Sequence, residues 1–152
     1  MISSSPLAAI GHVGLNVTDL DRSIVFFTDV LGLEVAGESR EDGRRYAFLG
    51  AGDAVMLTLW EQSRGRFSTA TPGLHHLAFR VADADAVEEV HRRLRAHGAT
   101  IHHDGIVAHR EGADSGGIFF EDPDGTRIEI FATTGMRGRT APHREAPTCG
   151  FF

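Results

Sequence analysis

A ten-residue pattern occurs twice in this chain. His12–Asp21 reads HVGLNVTDLD, and His76–Asp85 reads HLAFRVADAD. In each copy a histidine opens a stretch that alternates apolar and polar residues, and an Asp-x-Asp element follows it. A supersecondary unit repeated in this way cannot bury its apolar face alone. The chain is therefore expected to fold as two copies of one unit, with a histidine at the same place in each.

Taken in order, the first copy starts with Val13, Leu15 and Val17 on one face of a strand over Ile10–Val17, with His12, Gly14 and Asn16 on the other. Asp19 or Asp21 can cap a helix that carries Ile24, Phe27 and Leu31 at helical spacing and ends at Gly32. Strands are expected at Leu33–Gly37, Tyr46–Leu49 and Val55–Trp60, giving the order β-α-β-β-β. The second copy repeats it. Leu74–Val81 is a strand, and Asp85 and Glu88 have capping-box spacing at the start of a helix running to His97. Strands at Ala99–His102, Ile118–Glu121 and Arg127–Ala132 follow. The modules span residues 8–62 and 74–133, joined by the polar linker 63–73. Residues 134–152 lack periodicity and form an irregular tail, docked through Phe151 and Phe152 or disordered.

Bulk properties narrow the function classes. A length of 152 residues suits one domain or two small modules sharing a core, and eighteen glycines favour a turn-rich, strand-rich fold. A net charge of −6 argues against a nucleic-acid partner. One cysteine, Cys149, excludes an internal disulfide framework and fits a reducing compartment. The first residues lack the charged and apolar regions of a signal peptide, and no stretch approaches the roughly 20 apolar residues of a membrane span. A cytoplasmic location and no membrane partner are expected.

Strand parity selects the candidate site. His12 and His76 point away from the apolar face of their strands, and Glu129 lies opposite Ile128 and Ile130 in the last strand. If the two sheets join side by side, two imidazoles and one carboxylate converge on a concave surface. Such a set suits Fe(II) or Mn(II), and zinc or nickel would also accept it. The plain alternative stays open: among nine histidines chance placement of one is easy, and Glu129 also suits a solvated edge. His75 precedes His76, so the pleat sends it to the other face and away from a ligand role. Asn16 and Arg80 share the cup face and are candidates to hold a substrate oxygen or carboxylate, or are simply exposed. Tyr46, Phe48 and Trp60 can line the cup, although parity groups Trp60 with Met56 on the helix side. His102 and His103 read as surface residues, and Arg137, Arg139 and Arg144 as a solvated basic cluster.

The stretches HVGLNVTDLDRSIVFFTDVLGLEV, HLAFRVAD and FFEDPDGTRIEIF resemble the vicinal-oxygen-chelate superfamily, which includes glyoxalases, extradiol dioxygenases, epimerases, fosfomycin-modifying thiol transferases and bleomycin-resistance proteins. The resemblance covers Ile10 to Thr133. It implies an α+β fold of two βαβββ modules whose mixed sheets form an open cup around a divalent metal, in a homodimer. It places ligands at His12, His76 and Glu129. A fourth ligand position, by alignment of strand ends, falls on Leu57, which cannot bind a metal. The remaining set resembles the two-His-one-carboxylate site of extradiol dioxygenases. Those enzymes carry a tyrosine where this chain has Phe119, and His109 lies near their acid–base histidine. Phe119 has no proton to give, which counts against ring cleavage.

Two functions follow. The first is a metalloenzyme that chelates neighbouring oxygens of a small organic substrate, either an extradiol-type dioxygenase or a lyase or isomerase. The second is a metal-free protein that sequesters a ligand, as bleomycin-resistance proteins do, with Leu57 and Phe119 lining an apolar cup.

Overall fold

The structure, a computed structural model, describes residues 5–152. It divides into two compact units, one of residues up to Thr28 with Gly32–Arg64, the other of Asp29–Leu31 with Gly65–Phe152. The first βαβββ repeat comprises β1 (Val13–Val17), α1 (Leu20–Leu31), β2 (Glu34–Ser39), β3 (Tyr46–Ala51) and β4 (Ala54–Glu61). The second comprises β5 (Leu77–Arg80), α2 (Ala84–His97), β6 (Val107–Ala108), β7 (Gly116–Glu121) and β8 (Arg127–Ala132). The sheets have the same order, β1-β4-β3-β2 and β5-β8-β7-β6, with the first pair parallel in each and the rest antiparallel. The fold class expected from the repeat is the one observed. Among the described residues no helix is long and apolar enough to cross a membrane.

Both helices begin on an aspartate and end on a glycine. Asp19 Oδ1 accepts the Arg22 amide at 2.9 Å, and Asp83 Oδ1 accepts the Ala86 amide at 2.9 Å. The second cap is therefore Asp83 rather than Asp85, and the capping-box spacing is incidental. Gly32 and Gly98 sit at φ 67° and 76°, left-handed positions that stop each helix. In α1 the buried residues are Leu20, Ser23, Phe26, Phe27 and Val30, whereas Ile24 and Leu31 are only half-buried. The expected stripe was right at Phe27 and rotated off the others. Glu61, at the end of β4, accepts the Leu20 amide at 2.7 Å and an Arg45 N–H at 3.0 Å, placing a carboxylate at the N-terminus of α1.

In the first sheet, Leu15, Val17, Ala47, Leu49, Leu57 and Leu59 form the buried face. The opposite face carries Gly14, Asn16, Tyr46, Phe48, Thr58 and Trp60, as the cross-strand pairs Gly14↔Thr58, Asn16↔Trp60, Phe48↔Thr58 and Tyr46↔Trp60 show. Two expectations change here. Leu57 pairs with Val13, is 0% exposed and belongs to the core, so it lines no cup. Trp60 lies on the open face, where its ring centroid stands 5.4 Å from Tyr46 and 6.1 Å from Phe48. Met56 sits in a bulge between the pairs Leu49↔Leu57 and Gly50↔Val55, and a bulge re-aims the residue it adds.

In the second sheet Ile118, Phe120, Ile128 and Ile130 are fully buried, and α2 turns Val87, Val90 and Leu94 inward. The strand expected at Ala99–His102 reduces to a single bridge, Ile101↔Phe120. His103 and Asp104 adopt positive φ, 60° and 59°, so the chain turns there and resumes pairing only at β6. The C-terminal segment is docked. Ala108 N donates to Thr140 O at 3.1 Å and Thr148 N donates to His109 O at 3.0 Å, so the segment follows the free edge of β6. Phe152 is 6% exposed and packs with Val107 and Phe119, while Phe151 is 58% exposed. Arg139 pairs with Glu88 at 2.6 Å on the surface.

Candidate metal centre

The alternation of β8 buries Ile128 and Ile130 on one side and turns Glu129 to the other, beside Ala78 and Phe119 in the register. Its carboxylate side chain is only 4% exposed. A carboxylate this buried needs compensation, because the cost of removing a charge from water is several kcal/mol. Two imidazoles supply it. His76 Nε2 stands 3.4 Å from Oε2, and His109 Nε2 lies 2.5 Å from Oε1.

Each imidazole is held in turn. His109 Nδ1 is 3.0 Å from Ser115 Oγ, and its backbone N–H donates to Ser115 O at 3.0 Å. His76 Nδ1 is 2.8 Å from His75 Nδ1. The two rings therefore lie side by side rather than on opposite faces, because both residues precede β5 and its pleat does not reach them; His75 orients the His76 ring. Burial pulls the His76 pKa below its ordinary value; the Glu129 charge opposes that shift and His75 reinforces it. A neutral imidazole whose second nitrogen is hydrogen-bonded is the form that ligates metals.

A third donor comes from outside the strands. Cys149, half-buried in the docked tail, brings its Sγ into a group with His76 and Glu129 whose donor atoms all lie within 4.8 Å of one another. Burial, and then the Glu129 charge, push its thiol pKa up. The residues fit a divalent ion: metal–ligand bonds of about 2.0–2.3 Å put neighbouring donors roughly 3–3.6 Å apart, and the His76–Glu129 pair already stands at 3.4 Å.

The remaining candidates fall as follows. His12 is exposed, just before β1 in the first unit, and is not in that group. Phe119, 0% exposed, forms the floor beside Glu129, with the Phe152 ring 4.8 Å away and His103 and His109 at 5.7 and 6.4 Å. Arg80 is exposed on the Glu129 face, whereas Asn16 Oδ1 is engaged as acceptor for the Gln62 amide at 3.0 Å. His102 and His103 are half-buried rather than surface residues, and burial lowers the pKa of both. His75, Ser115 and Cys149 were not identified as site residues from sequence. A serine in a polar loop and a thiol in an aperiodic tail carry no pattern linking them to a strand.

Comparison with known proteins bears on this arrangement. A family model for the Glyoxalase/Bleomycin resistance protein/Dioxygenase superfamily matches residues 9–130. The chain is 30% identical over 144 residues to the glutathione transferase FosA of Serratia marcescens, covering 95% of this chain and 94% of that protein. It is 37% identical over 131 residues to the lactoylglutathione lyase of Haemophilus influenzae, covering 78% of this chain and 88% of that one. A glyoxylase/bleomycin resistance protein/dioxygenase domain from Frankia superposes with a TM-score of 0.72 at 24% identity, covering 84% of this chain and 98% of that one, a likeness of fold. With the repeated sheet order and a match that runs through both modules, the chain belongs to the Glyoxalase/Bleomycin resistance protein/Dioxygenase superfamily.

Proposed function

We propose that the protein is a metal-dependent enzyme acting on a small organic molecule that presents two neighbouring oxygens. His76 and Glu129 hold the divalent ion in the second module. The observation that carries this reading is the buried Glu129 carboxylate, flanked by the ring nitrogens of His76 and His109. Fe(II) or Mn(II) suits a His and carboxylate set, and zinc or nickel is compatible with it.

When bound, the ion acts as a Lewis acid on the chelated oxygens. The chain's own residues do the rest. His109 fixes Oε1 of Glu129, leaving Oε2 toward His76, and Ser115 fixes His109. The Phe119 ring excludes water from the floor, and Arg80 offers a cation on the same face. Phe119 supplies no proton, so a lyase, isomerase or thiol-transfer step is favoured over ring cleavage. His109, with Nε2 on Glu129 Oε1 and Nδ1 beside Ser115 Oγ, is a positioning residue for the carboxylate.

The test is metal content, measured on protein purified without chelators and after loading with Mn(II), Fe(II) or Zn(II), for wild type and Glu129→Gln. One ion per chain, lost in the variant, is expected. Wild type that takes up none overturns the reading. Loaded protein assayed on a hemithioacetal, on an epoxide with a thiol, and on a catechol then assigns the reaction.

A second reading, ligand sequestration without metal, has its own observation: Tyr46, Phe48 and Trp60 stand together on the open face of the first sheet, with Tyr46 and Phe48 5.1 Å apart. Such rings suit stacking on an aromatic ligand. Quenching of Trp60 fluorescence by planar natural products in chelator-treated protein, with no metal uptake, is its signature.

A further inference from the structure

The C-terminal segment places its one thiol with great economy. Thr148 is fully buried, its hydroxyl within 2.7 Å of Ala108 O and 3.0 Å of His109 O. A single turn of 3-10 helix, Thr148–Gly150, follows. Phe152 then closes the segment against Phe119, with the His76 ring at 5.6 Å and the Arg127 guanidinium at 5.5 Å. Cys149 lies between these two anchors and packs against the cluster of Val107, Phe119 and Phe152. Its Sγ therefore cannot move far from the His76 and Glu129 donors unless Thr148 and Phe152 release together.

We propose that Cys149 is a third, sulfur ligand to the ion held by His76 and Glu129, carried in by the C-terminal segment. The inference rests on the metal-site reading above and goes beyond it. The three donors are a ring nitrogen just before β5, a carboxylate in β8 and a sulfur in the tail, so three separate stretches of the second compact unit meet at one point. On binding, the thiol releases its proton to solvent and the sulfur–metal bond takes its place. A thiolate is a soft donor, and adding it to imidazole and carboxylate shifts preference from Mn(II) toward Zn(II) and Co(II). Tail docking and metal binding are then one equilibrium: the ion stabilises the docked segment, and the docked segment tightens the ion.

The experiment is a Co(II) titration of chelator-treated full-length protein, followed by near-ultraviolet absorption and by equilibrium dialysis, for wild type, Cys149→Ser, Cys149→Ala and Glu129→Gln. Expected for wild type is one bound equivalent with a sulfur-to-cobalt charge-transfer band that saturates with it. Both Cys149 variants keep the equivalent, lack the band and bind Co(II) weaker by about tenfold or more, the scale that even outer-shell partners reach. Mn(II) affinity changes less than Co(II) affinity. Glu129→Gln takes up no Co(II). Binding by wild type with no band, and with Cys149→Ser and Cys149→Ala matching its affinity, overturns the Cys149 ligand and leaves the metal site standing. No uptake by wild type overturns both. Because Cys149 is the sole cysteine, a thiol-disulfide reagent reports on it alone, and bound Co(II) is expected to slow that reaction in wild type.

Discussion

Thr58 occupies in the first sheet the register position that Glu129 occupies in the second. Gly14 pairs with Thr58 as Ala78 pairs with Glu129, and Gly14 and Ala78 each lie two residues after their module's histidine. Leu57 corresponds instead to Ile128, and both are 0% exposed. The two modules have therefore diverged at one point of a shared frame. One keeps a carboxylate between imidazoles, and the other keeps a hydroxyl that accepts the Trp60 indole N–H at 3.0 Å. A neutral threonine hydroxyl is a poor substitute for a carboxylate ligand.

Thr58→Val tests that assignment. Valine keeps the shape but leaves the Trp60 Nε1–H without its acceptor, and an unmade hydrogen bond of this kind costs about 1 kcal/mol. Trp60 is the single tryptophan, so its fluorescence follows urea unfolding directly. The expected result is a lower midpoint with metal content unchanged. Loss of the ion in Thr58→Val would show that the hydroxyl does more than hold Trp60.

The repeat made the fold legible, because alternation and Asp…Gly helix limits are local and occur twice. Parity also put His76 and Glu129 on one face, and their side chains stand 3.4 Å apart. It failed at Leu57 and Trp60 for a physical reason. A bulge at Met56 puts Val55 and Leu57 on opposite faces of β4, so counting in twos from the start of that strand exchanges the two faces beyond it. The second module's edge was illegible for another reason. Two consecutive residues with positive φ, His103 and Asp104, delay β6 to Val107, and neither is a glycine that would have signalled the turn. Cys149 had no signal of its own; its place follows from tertiary anchoring of Thr148 and Phe152.

His109→Ala removes the partner of Glu129 Oε1 while leaving His76 and Cys149 in place. Partners that orient a ligand typically contribute 10–100-fold in metal affinity, and a loss of about that size is expected here with the stoichiometry intact. His109→Gln, which can donate to the same oxygen, recovers part of it. Calorimetric titration with Mn(II) or Zn(II) measures both. Unchanged affinity in His109→Ala would remove His109 from the metal centre.

Asp122 gives the fold an acid-side pH dependence. Burial pushes its carboxyl from 3.8 to about 6, against the amides of Asp124 and Thr126 that donate to Oδ1 at 2.9 and 2.8 Å. Oδ2 is buried without a partner. Since the folded pKa lies above the unfolded one, the folded state favours the protonated acid. That contribution is complete below pH 3.8 and is lost as pH rises through about 6. It amounts to about 3 kcal/mol at ~1.4 kcal/mol per pH unit. Asp122→Asn has no such titration. Its stability relative to wild type, from urea unfolding of the metal-free proteins, should rise by about 2.4 kcal/mol between pH 4 and pH 7, since part of the contribution is already lost at pH 4. A constant difference across that range would refute the assignment.

Phe152→Ala separates the anchoring of the tail from the chemistry of its thiol. The lost ring leaves a void over Phe119 and removes one member of the cluster against which Cys149 packs. A fully buried phenylalanine truncated to alanine costs about 3–5 kcal/mol where the surroundings cannot relax. Here the terminal residues can lift away, so the cost is capped by the free energy of undocking. Local opening rather than global unfolding then dominates the variant. Thiol reactivity is the measurement that sees it: at ~1.4 kcal/mol per factor of ten, a docking loss of about 1.4 kcal/mol accelerates the reaction of Cys149 about tenfold. Thr148→Val, which removes the hydroxyl from Ala108 O and His109 O, should act in the same direction through the other anchor. If Cys149 reacts in both variants at the wild-type rate, the segment is not held by these two residues, and the coupling of tail to metal loses its structural basis.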